Sequence, residues 1–168
     1  MTQGTETGTG TGTGTTAEAL VERDVSEAAE KELVEALARH GVALRTRRVL
    51  AHRGPSELQW AVLIALPLQG FLSGLGTEAV KDAYAALKSA VRRVTRREQP
   101  ADSRPLVLQD AASGLRVVLE ADLPGEAYEQ LVGMDLTPFR HGPLHYDRAR
   151  RRWRSELDEA AAETEPDA

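Results

Sequence analysis

Residues 59–76 read QWAVLIALPLQGFLSGLG, without one charged side chain, in a chain of which 28% is Asp, Glu, Lys and Arg. A fold must bury this stretch or hand it to a bilayer, because its transfer from water is too favourable to leave it exposed. From Leu58 to Thr77 the uncharged run is long enough to cross a hydrocarbon core of about 30 Å. Several of its residues oppose a span. Pro67, Gln69, Ser73 and the glycines at 70, 74 and 76 weaken its second half, and Glu57, Glu78, Lys81 and Asp82 flank it with no one-sided basic cluster. The expected structure is therefore a buried helix, capped by Ser56 with Gln59 at the third position and kinked or restarted at Pro67. The spacing of Gly70 and Gly74 suits close helix packing in protein or in lipid.

The rest of the core must come from small and aliphatic side chains, since aromatics make up 4% of the chain. The anchors are Trp60, Phe71, Tyr84, Tyr128, Tyr146 and Trp153. About 130 residues have foldable composition, enough for one domain. The chain contains no cysteine, which removes disulfides, thiolate metal ligands and Cys nucleophiles together.

The Gly/Thr repeat at residues 4–16 has no apolar residue, and the expected state of residues 1–16 is a disordered arm. The arm has neither the basic nor the apolar region of a secretory signal, so the expected location is cytoplasmic, with membrane association as the alternative. Residues 17–40 place Leu20, Val21, Val25, Ala28, Leu33, Val34 and Leu37 at spacings of mostly three and four, ahead of Gly41; this predicts an acidic amphipathic helix. Residues 42–52 change to period two and predict a lone strand with a basic face. Thr77 is the expected cap of a helix whose seam is Val80, Tyr84, Leu87, Val91 and Val94, a seam that also offers a surface for homo-oligomers.

Beyond the QPADSRP loop, two β-rich runs at 106–109 and 115–120 flank a turn containing Asp110, Ser113 and Gly114. Pro124 opens a short helix with Tyr128 and Leu131 on one face. Residues 144–146 and 152–154 predict a second hairpin, and residues 156–168 an acidic tail that begins as a helix. The fold class is α+β: a domain over 41–155 with a lone strand, an apolar helix packed on an amphipathic helix, and β-hairpins.

The formal net charge of −5 conceals a basic body between acidic ends. Residues 1–40 carry three basic and eight acidic side chains, residues 41–154 eighteen and twelve, and residues 155–168 none and six. Three arginine groups stand out: Arg45, Arg47, Arg48 and Arg53; then Arg92, Arg93, Arg96 and Arg97; then Arg148, Arg150, Arg151, Arg152 and Arg154, with Trp153 among them. Gathered on one face they would bind an anionic partner, with Trp153 or Tyr146 stacking on a base. Taken separately they serve as a solvated strand face, a helix C-terminus and a guarded hairpin edge. The acidic total and the lack of a recognition motif disfavour nucleic acid.

Catalytic and metal signals are absent from the pattern. His141 and His145 are four apart and Asp147 follows, but Gly142-Pro143 keeps them off one helical face, and no Glu stands where a zinc protease needs it. GFLSGLG lacks the Lys-Ser/Thr of a phosphate loop, and no serine lies in a nucleophile elbow. The expectation is a non-enzymatic interaction protein with no cofactor, no metal and a protein partner.

The order of ALRTRRVLAHRG (43–54), WAVLIALPLQGFLSGLG (60–76), LKSAVRRVTRR (87–97) and LVLQDAASGLRVVLE (106–120) resembles the actinobacterial effector-associated constant components. That resemblance covers about half the chain and implies an accessory module found beside effectors of conflict or defence systems. It carries over no functional residues. The Gly/Thr arm, the acidic first helix, Pro67 and the HYDRARRRW region depart from the pattern.

Overall fold

The computed structural model describes residues 14–50, 59–74, 85, 87–89, 91–92 and 104–164. It is an α+β fold built on a five-stranded mixed sheet. The elements are β1 (Thr15–Glu22), α1 (Glu27–Ala38), β2 (Val42–Val49), β3 (Val62–Leu66), α2 (Leu68–Ser73), β4 (Leu106–Asp110), β5 (Arg116–Leu119), α3 (Gly125–Gly133), β6 (His145–Asp147), β7 (Arg152–Arg154) and α4 (Glu156–Thr164). Ala85, Leu87–Ser89, Val91 and Arg92 are also helical.

The strand order is β2-β1-β3-β4-β5. β1 runs parallel to β2 across α1, β3 runs parallel to β4, and β1 and β3 meet antiparallel at the centre. Two βαβ units thus stand side by side in opposite directions. Parallel neighbours need a crossover of a dozen or more residues, which α1 supplies on one side and the segment containing α2 and the helical residues near 91 on the other.

The uncharged stretch lies in the middle of this sheet. Val62, Leu63, Ile64 and Leu66 are buried, and β3 is paired on both edges. A strand covered on both faces shows a continuous apolar run instead of alternation, which is why its period did not distinguish it from a helix. The expected apolar helix is therefore corrected to a strand followed by a short helix. Pro67 marks the change: it ends β3 and its carbonyl accepts from the Phe71 amide at 2.9 Å, so the restart expected there occurs. No helix among the described residues is long and apolar enough to cross a membrane. Ser56 and Thr77, the two expected caps, lie outside the described residues, as do Val80, Tyr84 and Val94 of the seam; Leu87 and Val91 pack on the core.

The acidic helix over 17–40 is also corrected. Its first part is β1, and the helix begins after Ser26, whose hydroxyl accepts from the Ala29 amide at 3.2 Å. Ala17, Ala19 and Val21 face the helices while Glu18 and Leu20 face away, the alternation of a strand. The strand at 42–49 is consequently paired with β1 instead of standing alone. Thr15 and Thr16, expected in the disordered arm, belong to β1; residues 1–13 lie outside the described residues.

The larger core fills the helix-bearing face, with Leu33, Ile64, Leu66, Leu106, Leu108, Leu119, Tyr128 and Leu131 among its members. A smaller cluster of Trp60, Leu63, Val107 and Val118 occupies the opposite face. The hairpin β4–β5 closes through Asp110, and Gly114 takes φ 76°, a left-handed conformation that favours glycine. Asp110 carboxylate oxygens accept from the Ser113 amide and hydroxyl, both at 2.8 Å, and from the Leu68 amide at 3.0 Å, tying the turn to α2.

Candidate functional site

The two outer edges of the sheet differ in what occupies them. On β5, Leu144 donates its amide to the Arg116 carbonyl at 2.8 Å, and its carbonyl accepts from the Val118 amide at 2.9 Å. The Arg116 carbonyl and the Val118 amide, two outward backbone groups of that edge, are therefore taken. On β2, no described strand lies beyond the edge. The Gly41 carbonyl accepts from Thr15 and the Val49 carbonyl from Arg23, at 3.0 and 3.2 Å. With a backbone period of two, the odd-numbered residues of β2 turn toward β1, and the N–H and C=O groups of Leu44, Thr46 and Arg48 turn outward.

The side chains along this edge are basic. Arg45, Arg47 and Arg48 are exposed. Arg47 lies 3.6 Å from Glu18, with both side chains mostly in water, a pair worth little. Arg48 donates to Glu30 of α1 at 2.7 Å and approaches the Arg23 carbonyl. Arg45 enters no ion pair among the described residues. Leu50, just past the strand, is 68% exposed, one of two large apolar side chains so exposed among the described residues.

The third arginine group lies elsewhere and is matched by carboxylates. Arg148 pairs with Glu120 at 3.5 Å, Arg150 with Asp147 at 3.9 Å, and Arg152 with Glu159 at 3.6 Å. Arg154 donates to Asp147 at 2.8 Å and to Glu159 at 2.7 Å. Arg151 donates through Nε to Glu126 at 2.8 Å, and the Tyr146 hydroxyl donates to the same oxygen at 2.8 Å. These arginine bonds, then Tyr146, hold the Glu126 carboxyl down at about 2. Asp147 lies below its ordinary range through the Arg150 amide and Arg154, and Glu159 through Arg154.

Trp153 is not on the surface. It is buried, its indole N–H donates to the Ala127 carbonyl at 2.8 Å, and its ring meets Tyr146 edge-on with centroids 5.6 Å apart. Both rings belong to the core.

The sheet also separates the groups. β2 and β5 are opposite edges, four strand spacings or about 19 Å apart, so the first and third arginine groups do not meet. Arg92 is exposed on its helix; Arg53, Arg93, Arg96 and Arg97 lie outside the described residues.

Two further charged constellations escaped sequence reading. Glu22, at the end of β1, is buried and pairs with Arg104, which also pairs with Asp24. Partners 82 residues apart leave no local signal. Asp158 of α4 accepts from the amides of Arg140, His141 and Gly142, at 2.8, 2.9 and 3.4 Å. Burial works to raise its pKa, but Ser155 and the three amides together lower it below the usual range. Among the described residues, no group of three or more His, Asp or Glu side chains is placed to hold a metal ion, and His141 and His145 are both exposed.

No family model matches the chain, and no curated protein matches it. A solved structure described as "Q0 fused 4-OT wild type symmetric trimer" is similar over 63% of this chain and 95% of its own, at 21% identity and a TM-score of 0.36.

Proposed function

We propose that the chain is a non-enzymatic interaction module, an accessory protein that engages a protein partner through the basic edge of β2. The observation that carries this reading is the contrast between the two surfaces of charge. Arg151 and Arg154 donate to carboxylates at hydrogen-bond distance, whereas Arg45 enters no ion pair among the described residues and Arg47 has only an exposed 3.6 Å contact, like those of Arg148, Arg150 and Arg152. Exposed guanidinium groups beside backbone groups that no described strand uses are what a docking edge offers.

The ionisable groups with shifted pKa values also support it. Asp110 and Asp135 serve turns, Asp158 holds a loop, and Glu126, Asp147 and Glu159 hold arginines. These are structural duties rather than a poised acid and base. The resemblance to effector-associated constant components adds an expected setting beside an effector, in the cytoplasm.

The test is quantitative co-purification of the tagged full chain from cells that encode it, wild type against Arg45→Glu/Arg47→Glu. We expect a set of proteins whose recovery falls at least about fivefold with the variant, while its circular dichroism and melting are unchanged. An unchanged set of recovered proteins would remove the basic edge from the function.

A further inference from the structure

We infer that β2 binds an extended acidic peptide segment of a partner by strand addition, with acidic residues at alternate positions of that segment. The inference rests on the interaction-module reading and names its ligand. Three observations converge on one edge. Leu44, Thr46 and Arg48 present outward N–H and C=O groups that no described strand uses, as fixed by the bonds of the Gly41 and Val49 carbonyls to β1. Arg45 and Arg47 are two apart, so they lie on one face of the strand, opposite the helices. Val49 follows on that same face, half-buried against the smaller core cluster, and Leu50 is exposed beyond it.

An added strand would place its own alternate side chains beside Arg45 and Arg47, where carboxylates complement them and lysines repel. An apolar residue two positions further would reach Val49. Its backbone would bond the outward groups of β2 as Leu144 bonds those of Arg116 and Val118 on β5. A second copy of this chain fits poorly. Antiparallel pairing of β2 with itself about Arg45, Thr46 or Arg47, the centre of the basic stretch, sets arginine against arginine, and like charges directly opposite destabilise a pair.

The experiment uses the full chain and a fluorescent ten-residue peptide in which Glu alternates with Val and Thr. A peptide of the same composition with its Glu residues consecutive is the control. Anisotropy should show binding of the alternating peptide and at least about tenfold weaker binding of the control. Arg45→Glu/Arg47→Glu should cost about tenfold or more, each lost cross-strand pair accounting for about threefold.

The backbone contribution is tested separately. Thr46→Pro deletes one outward N–H at an edge, a position where proline is tolerated, and should weaken the peptide about tenfold. Methylating alternate amides of the peptide tests the same bonds with the protein unaltered, so a misfolded proline variant would not obscure the answer. If binding survives both changes yet fails with the charge reversal, strand addition is overturned while the basic-edge function stands. Equal binding of the control peptide, or displacement by a single-stranded oligonucleotide with no effect of Thr46→Pro, would also overturn it. So would sedimentation showing a wild-type dimer that Thr46→Pro dissociates, because the edge would then belong to a second copy. If the native partners of the co-purification test ignore Arg45 and Arg47 while the peptide still binds by strand addition, the parent reading fails and this one holds.

Discussion

Glu126 shows how single side chains hold the C-terminal part of this molecule together. It sits in the first turn of α3 and receives hydrogen bonds from Arg151, which precedes β7, and from Tyr146 of β6. Its carboxyl is held at about 2 against an ordinary 4.5, chiefly by Arg151 and then by Tyr146. A depressed carboxylate contributes stability that is fully present above the unfolded-state pKa and is lost as pH falls through the folded one. The contact of the hairpin with α3 should therefore weaken between about pH 4.5 and 2. Following the Trp153 indole N–H by NMR through an acid titration, we expect its resonance to shift in that window, and Glu126→Gln to abolish the pH dependence while Tyr146 and Trp153 stay buried. A resonance that moves equally in both proteins would assign the acid response to other carboxylates. Neither partner of Glu126 was legible in the sequence, because the contact spans 20 residues to Tyr146 and 25 to Arg151 and no local periodicity records it.

At the scale of elements, what could be read followed from how many faces of each segment meet water. The hairpins at 106–119 and 145–154, the helix after Pro124 and the start of the acidic tail helix were legible, since their turns and alternation are local. β3 was not, because both its faces are covered and its continuous apolar run fits a buried helix equally well. β1 was missed for another reason: Ala17 and Ala19 are poor strand formers by propensity, and pairing with β2 and β3 overrides that preference. Of the arginine groups, their presence was legible but their pairing was not. α4 supplies the clearest element-scale prediction. It buries no residue of its own, and Asp158 fastens it to the backbone of residues 140–142 while Ser155 supports its first turn. Gly142 lies so close that a Cβ there would come within 2.7 Å of the Ser155 hydroxyl oxygen. Replacing Asp158 with Ala should cost about 1–3 kcal/mol, as hydrogen bonds to a charged acceptor are lost. Limited proteolysis should then cleave within 156–164 well before the rest of the domain. A melting curve and a cleavage pattern identical to wild type would show that the helix is held by something else.

At the scale of the whole molecule, two opposed βαβ units produce a sheet whose edges have unequal fates. Leu144 takes up two outward backbone groups of the β5 edge from within the chain, and the arginines beyond it lie against Glu120, Glu126, Asp147 and Glu159. On the β2 edge no described strand pairs beyond, and Arg45 and Arg47 are exposed along it. Strand topology, which no local pattern encodes, thus places the first and third arginine groups on opposite edges of the sheet. The central claim is that the β2 edge is open, and residue-resolved amide hydrogen exchange of the full chain tests it most directly. We predict alternation along β2, with slow exchange at Arg45, Arg47 and Val49, which face β1, and fast exchange at Leu44, Thr46 and Arg48, while Val62–Leu66 of β3 rank among the slowest amides measured. Slow exchange at Leu44, Thr46 and Arg48, equal to that of their neighbours, would mean that the edge is already covered and would contradict the account.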